Sequence, residues 1–153
     1  MTYKFQKLEI YQLALEYISL IYELSDKLPA IENFNLKSQI TRAATSIALN
    51  IAEGSTSQTD PEQSRFLGMA LRSLVETIAC QDVIELRKYV TLEDLQPSRE
   101  LGSKLFAKIH AMKRFLAGPQ TKELPNVRRS SVIGRRSFFT LSAAQLATAA
   151  RLF

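Results

Sequence analysis

The chain has 153 residues, 46% of them hydrophobic and only five each glycine and proline, which bounds it to one domain with a real core. A single cysteine, Cys80, excludes an intrachain disulfide, and a single histidine, His110, argues against an all-protein zinc site. The net charge of +5 is unevenly placed, because residues 1–118 carry 14 basic and 14 acidic side chains and the whole excess lies in residues 119–153.

The first predicted helix runs from Leu8 to Lys27 and carries two adjoining apolar rows. One row is formed by Leu8, Tyr11, Leu15, Ile18 and Tyr22, and the other by Ile10, Ala14, Tyr17, Ile21, Leu24 and Leu28. Alternating steps of three and four residues are typical of an amphipathic helix, and two such rows predict burial against more than one neighbour. On the side of the helix that is expected to face solvent, glutamates repeat every seven residues at Glu9, Glu16 and Glu23.

The second helix is predicted to begin near the N-cap residue Asn33 and to end at Gly54, and the third to begin with Asp60-Pro61 and to end near Tyr89. Both helices carry a row of small side chains: Ala43, Ala44, Ser46 and Ala48 on the second, and Ala70, Ser73, Thr77 and Cys80 on the third. Small side chains allow two helices to approach closely, so we expect self-association to use these two faces.

Thr91 is predicted to cap a fourth helix that ends at Gly118, with Pro97 separating its first turn from the rest. Long helices joined by short links predict an all-α, antiparallel up-down-up-down four-helix bundle over residues 1–118. Residues 119–153 form a basic tail that we expect to be flexible and largely disordered, although the pattern of residues 142–152 allows a short helix.

The most distinctive segment, from Gln39 to Gly54, reads QITRAATSIALNIAEG. It resembles the signature Q-I-x-R-A-A-x-S-I-x-x-N-I-A-E-G of a family of small bacterial four-helix-bundle proteins, first noticed in intervening sequences of 23S ribosomal RNA genes. The resemblance extends over roughly residues 5–116. Arg72 departs from it, because the family often has a glycine there. The family is similar in fold to the accessory variability protein of diversity-generating retroelements.

The resemblance implies a homo-oligomer, often a pentamer. From the residues themselves we expect no catalytic residues, no metal and no cofactor, because no nucleophile–base pair and no Glu-x-x-His pair occurs. For the retroelement relative, the resemblance implies a reverse transcriptase and nucleic acid as partners. We therefore expect a non-enzymatic assembly or binding module that contacts RNA, DNA or a nucleic-acid enzyme. The alternative is a purely structural or protein-interaction module with no nucleic-acid role, which the balanced charge of residues 1–118 favours.

Polar side chains form one row on the second helix, and a carboxylate on the third is the predicted partner of its arginine. The row consists of Gln39, Arg42, Ser46, Asn50 and Glu53, and the carboxylate is Glu76. A hydrogen-bond network that fixes helix register or subunit packing is the preferred interpretation. A ligand or nucleic-acid surface is the second interpretation, and catalysis is the least favoured because no nucleophile–base pair accompanies the row.

Basic side chains are the candidate phosphate contacts, three on the fourth helix and four in the tail: Lys104, Lys108, Lys113, Arg128, Arg129, Arg135 and Arg136. Residues 134–144 also look like a twin-arginine export signal, but such signals act at an N-terminus, so we interpret this one as coincidence or a frame extension. The N-terminus has no apolar signal core and no stretch of about 18 apolar residues occurs. We therefore expect a cytoplasmic protein without integral membrane association.

Overall fold

A computed structural model of the protein describes residues 3–118. Four α-helices follow one another: α1 (Glu9–Asp26), α2 (Leu36–Gly54), α3 (Asp60–Leu86) and α4 (Leu92–Leu116). Short 3-10 helices at Lys4–Lys7 and Ala30–Glu32 precede α1 and α2. No strand occurs in the part of the chain described, so the predicted all-α class is confirmed. The segment 142–152 lies outside the described residues.

The helices form a closed square in which each one packs against its two neighbours in sequence, and α4 returns to α1. Lys27 at the end of α1 bonds to Asp94 at the start of α4, and Lys108 near the end of α4 bonds to Glu9 at the start of α1. These two ion pairs show that α1 and α4 are antiparallel. The predicted bundle is therefore the observed one, with α1 and α3 on one diagonal and α2 and α4 on the other.

The core is filled by large apolar side chains from all four helices, with no exposed surface at several positions: Tyr17, Ile21, Ile40, Ile47, Leu74, Ile84, Leu95, Leu105 and Ile109. On α1, only the second of the two predicted rows is buried throughout. Leu15 and Tyr22 of the first row remain 42% and 48% exposed. The first row is therefore partly buried, because Leu8, Tyr11 and Ile18 pack against the core whereas Leu15 and Tyr22 are exposed.

The two rows of small side chains meet each other within one chain. Ala43 and Ala44 on α2 and Ala70 and Thr77 on α3 are all buried. The packing of α2 against α3 therefore buries the two surfaces that we expected to mediate self-association. That expectation is corrected by the structure, and any contact between copies must use other surfaces.

Helix boundaries set by local capping chemistry agree with the sequence, and those set by distant contacts do not. Thr91 caps α4 in a capping box with Asp94, as predicted. The helix then continues through Pro97, which costs one hydrogen bond at an exposed position and does not separate the first turn. Thr59, not Asp60, caps α3, and α3 ends at Leu86, three residues before the predicted end.

Helix α2 begins at Leu36 and not near Asn33 as predicted, because the Glu32 carboxylate bonds to the residues at its start. Glu32, which is buried, accepts hydrogen bonds from the Leu36 amide at 3.4 Å, from Asn35 Nδ2 at 3.0 Å and from the Tyr89 hydroxyl at 2.8 Å. These bonds, the one from Tyr89 first, lower the pKa of the Glu32 carboxyl. The loop between α3 and α4 thereby fixes the entry to α2.

Candidate functional site

The polar row of α2 lies along its seam with α3, and its first members form a short relay. Gln39 Nε2 donates to a carboxylate oxygen of Glu76, and Arg42 Nη2 donates to Gln39 Oε1. Among residues 3–118 Arg42 forms no ion pair with Glu76, so the predicted pairing is wrong. The shorter Gln39 side chain reaches the carboxylate first, and the Arg42 guanidinium remains exposed.

The middle of the row also crosses to α3. Ser73 Oγ donates to Ser46 Oγ at 3.0 Å, and Asn50 Nδ2 donates to the Ser46 carbonyl at 2.7 Å and to Ser46 Oγ at 3.1 Å. Asn50 is buried and Ser46 partly buried. The Ser73–Ser46 bond ties α3 to α2, and the Asn50 bonds hold Ser46 from within α2, as a network that fixes register requires.

Two members of the row face outward. Glu53 is exposed beside the loop after α2, where it borders an open depression with Ser57 and Glu62. Arg42 lines a shallow groove of about 390 Å³ between α1 and α2, together with Tyr22, Leu49 and hydroxyl side chains of α2. The groove is open to solvent and holds one charged group, so its surface resembles a contact face more than a reaction centre.

A second polar network at the centre of the bundle was missed by the sequence analysis. The Tyr17 hydroxyl lies 2.7 Å from Thr77 Oγ1 and accepts from Gln81 Nε2 at 3.0 Å, and Ser98 Oγ donates to Gln81 Oε1 at 2.9 Å. All four side chains are buried, and burial raises the pKa of Tyr17. The signal was present, because Thr77 and Gln81 continue the inward row of Leu74 and Ile84 at helical spacing.

The three candidate lysines of α4 do not share a face. Lys108 Nζ lies 2.9 Å from Glu9 Oε1 on α1, whereas Lys113 Nζ lies over Gly68 on α3. At 3.6 residues per turn the two positions are about 140° apart around the helix. Lys104, on the Lys108 side, is exposed. One bundle therefore does not offer these lysines as a single phosphate-binding track.

The remaining candidates belong to the tail. Arg128, Arg129, Arg135 and Arg136 lie outside the described residues. Within residues 3–118 no group of three potential metal-ligating side chains comes together, and none of the four helices has an apolar stretch long enough to cross a membrane.

Comparison with known proteins bears on this arrangement. The sequence profile of the family described as 23S rRNA-intervening sequence protein matches residues 6–111. The chain belongs to this family. The matched residues include the whole α2 signature, whose Gln39 and Ser46 side chains bond to α3.

A solved structure shares the fold. It is a protein of unknown function from the S23 ribosomal protein family of Bacteroides thetaiotaomicron, with a TM-score of 0.64 and 23% identity over 69% of this chain and 98% of that chain. No curated protein matches this chain. The profile thus shows the family, and the solved structure adds a likeness in fold alone.

Proposed function

We propose that this protein is a non-enzymatic, cytoplasmic assembly module that associates with further copies of itself and presents a binding surface to nucleic acid or to a nucleic-acid enzyme. The proposal rests on the large apolar side chains that are exposed on the outer faces of α1, α2 and α3, including Tyr22, Leu49 and Val75. Tyr22 and Leu49 lie together along the groove between α1 and α2, and exposed apolar patches of this kind are typical of protein–protein contact sites.

The polar row of α2 supports an architectural function for the signature. Gln39 bonds to Glu76 and Ser46 bonds to Ser73, both on α3, while Asn50 bonds to Ser46 within α2, so the row holds the two helices in register. Arg42 and Glu53 are the exposed members of the row that could contact a partner, and Arg42 supplies the positive charge. A ring of copies, of which a pentamer is one form, would repeat that guanidinium and the exposed Lys104 around an axis.

Nucleic-acid binding is the finer part of the proposal and is supported by the charge distribution. With residues 1–118 electrically balanced, the cationic excess of the tail, including its two arginine pairs, is the electrostatic basis for phosphate contact. A reverse transcriptase would be a natural protein partner if RNA or DNA is bound. The balanced charge of the bundle favours the second candidate function, a structural module without nucleic acid.

The test is a titration of labelled single-stranded RNA and DNA with the full-length protein at several salt concentrations. The control is the variant with alanine at all four tail arginines, Arg128, Arg129, Arg135 and Arg136. If the arginines contact phosphates, the variant loses affinity at low salt, and the slope of log K against log salt falls by about 0.7 for each lost contact. Absence of binding by either protein at low salt would leave the structural module as the function.

A further inference from the structure

An aromatic pair lies on the outer surface of α4, on the side that faces α3. The rings of Phe106 and His110, one helical turn apart, have their centroids 4.5 Å apart and their planes inclined by 56°. Both side chains are exposed, and 37% of the Phe106 surface remains open to solvent. Exposed aromatic rings can stack on the ring system of a bound molecule, and the pair is therefore a candidate contact.

Two contacts between α3 and α4 place this pair beside α3. Arg99 Nη2 on α4 lies 2.9 Å from Asp82 Oδ1 on α3, and Lys113 Nζ lies 3.2 Å from the position that a Cβ atom on Gly68 would take. Both helices have 14 residues between the two contacts, because the helices are antiparallel neighbours. Phe106 is the midpoint on α4, so the aromatic pair lies along the outer edge of the seam between the two helices.

Cations surround the aromatic pair along this seam. Phe106, His110 and Lys113 lie within about 60° of one another around α4 and span about 10 Å along it. Arg72 is exposed on α3, four residues after the glycine that Lys113 covers, and Arg114 is exposed on α4. These three cations form no ion pair in the part of the chain that the structure describes, whereas Lys108 on the other side of α4 does.

The same region is free of acidic side chains, although the bundle as a whole is neutral. Residues 63–75 of α3 and residues 101–118, which include the second half of α4, contain no aspartate or glutamate. The carboxylates that follow towards the other end of α3 are already bonded, since Glu76 accepts from Gln39 on α2 and Asp82 from Arg99. This part of the bundle surface is therefore positively charged, and its unpaired cations favour an anionic partner.

We propose that this surface binds single-stranded nucleic acid, with bases stacked on the aromatic pair and phosphates bonded to the cations. It is called the α3–α4 surface and consists of Arg72, Phe106, His110, Lys113 and Arg114. The inference rests on the proposed contact with nucleic acid and adds a site on the bundle to the one in the tail. Aromatic faces beside a cationic track are the arrangement that binds single strands without sequence preference. A duplex does not offer its base faces, so the stacking part of the contact needs unpaired bases.

The stacking contact is tested with Phe106→Leu in the full-length protein, which keeps an apolar side chain and removes the aromatic ring. Fluorescence anisotropy of labelled oligo(dT) and oligo(U) measures the dissociation constant. It should rise at least about fivefold, which corresponds to the loss of one stacked base, with no change in its salt dependence. The matched control is Phe115→Leu, since Phe115 is exposed on the opposite side of α4, nine residues further on, and its replacement should leave binding unchanged.

The phosphate contacts are tested with Arg72→Gln and Lys113→Gln combined. The slope of log K against log salt should fall by about 1.4, because each phosphate contact with a single strand contributes about 0.7. The matched control, Lys4→Gln with Lys88→Gln, removes two positive charges at exposed positions of other elements and should keep the wild-type slope.

The outcomes separate this site from the proposed function. A wild-type protein that binds no single strand at low salt overturns both. If the wild type binds and either test variant binds as the wild type does, the site on the bundle is overturned and the tail remains the contact. Equal losses in the control variants also overturn the site. Circular dichroism melting verifies the fold of each variant, and His110→Ala replaces Phe106→Leu as the test of stacking if the latter does not fold.

Discussion

At the centre of the bundle, the ring of Tyr17 occupies space that a glycine on α4 leaves free. A Cβ atom placed on Gly102 would lie 3.1 Å from Tyr17 Cε2. The ring cannot withdraw easily, because its hydroxyl is held by Thr77 and Gln81 on the diagonally opposite helix. Gly102 therefore has a packing function that offsets the low helix propensity of glycine.

Replacing Gly102 by alanine should destabilise the protein by about 1–3 kcal/mol, since the added methyl group forces Tyr17 off its hydrogen bonds. Urea unfolding followed by circular dichroism measures the change. The matched control is Gly68→Ala on α3, where the nearest atom to the new Cβ is the mobile Lys113 Nζ at 3.2 Å. That variant should be neutral or more stable by up to about 1 kcal/mol. Equal stability of the two variants would contradict the argument.

The sequence predicted individual residues well where burial follows periodicity and poorly where side chains compete for one partner. The inward row of α1 is buried as its spacing indicates. The pairing of Arg42 with Glu76 was wrong because Gln39, three residues away, reaches the same carboxylate. Which of the two donors bonds to the carboxylate depends on the length of each side chain and on the offset between the two helices. The spacing of residues along the chain gives neither quantity.

At the scale of the helix, the start of α4 combines a capping box with a bond to another helix. Asp94 accepts from Lys27 Nζ at 2.5 Å and from the Thr91 amide at 3.0 Å. These bonds, the one from Lys27 first, lower the pKa of the Asp94 carboxyl from 3.8 to about 2. Because the pKa is lower in the folded chain, this interaction stabilises the fold above pH 3.8 and is lost as the pH falls through about 2.

The variant Lys27→Met should therefore melt at a lower temperature than the wild type near neutral pH, and the difference should shrink as the pH falls from about 4 towards 2. Thermal unfolding at a series of pH values measures both curves. Lys7→Met removes an exposed lysine that forms no ion pair among residues 3–118 and should show no such convergence. A constant difference across this pH range would count against Lys27 as the cause.

Helix boundaries show the same limit of sequence reasoning. The prediction of Thr91 as a cap is confirmed, because the bonds between Thr91 and Asp94 lie within one turn and need no distant contact. The start of α2 was misplaced because Glu32 replaces the expected cap, and Glu32 is itself oriented by Tyr89, 57 residues further along the chain. Likewise, the small rows of α2 and α3 were correctly taken as helix-contact surfaces, but their mutual burial within one chain depends on the tertiary arrangement.

At the scale of the whole molecule, Cys80 provides a natural probe of how tightly the bundle is closed. Its side chain is buried between helices, and burial raises the pKa of the thiol. Reaction with a disulfide reagent needs an exposed thiolate, so it should require opening of the bundle. We expect labelling to be more than about a hundredfold slower than in the urea-unfolded chain.

A control chain carries Ser103→Cys, at an exposed position of α4, in a Cys80→Ala background. Its thiol should react at nearly the same rate in the folded and the unfolded protein. Since the chain has one cysteine, absorbance of the released reagent reports a single site. Rapid labelling of Cys80 in the folded wild type would show that the bundle opens far more readily than its core packing implies.

The buried alanines between α2 and α3 also determine how far apart the two helix axes lie. Ala44 and Ala70 have no exposed surface, so any larger side chain there must widen the spacing of the two helix axes, which ranges over about 8–10 Å with side-chain size. Widening by a single methyl group would tilt the outer surface of α3 relative to that of α1 without touching either. In the proposed assembly of several copies, the angle between neighbouring copies would then depend on side chains that are buried inside each chain.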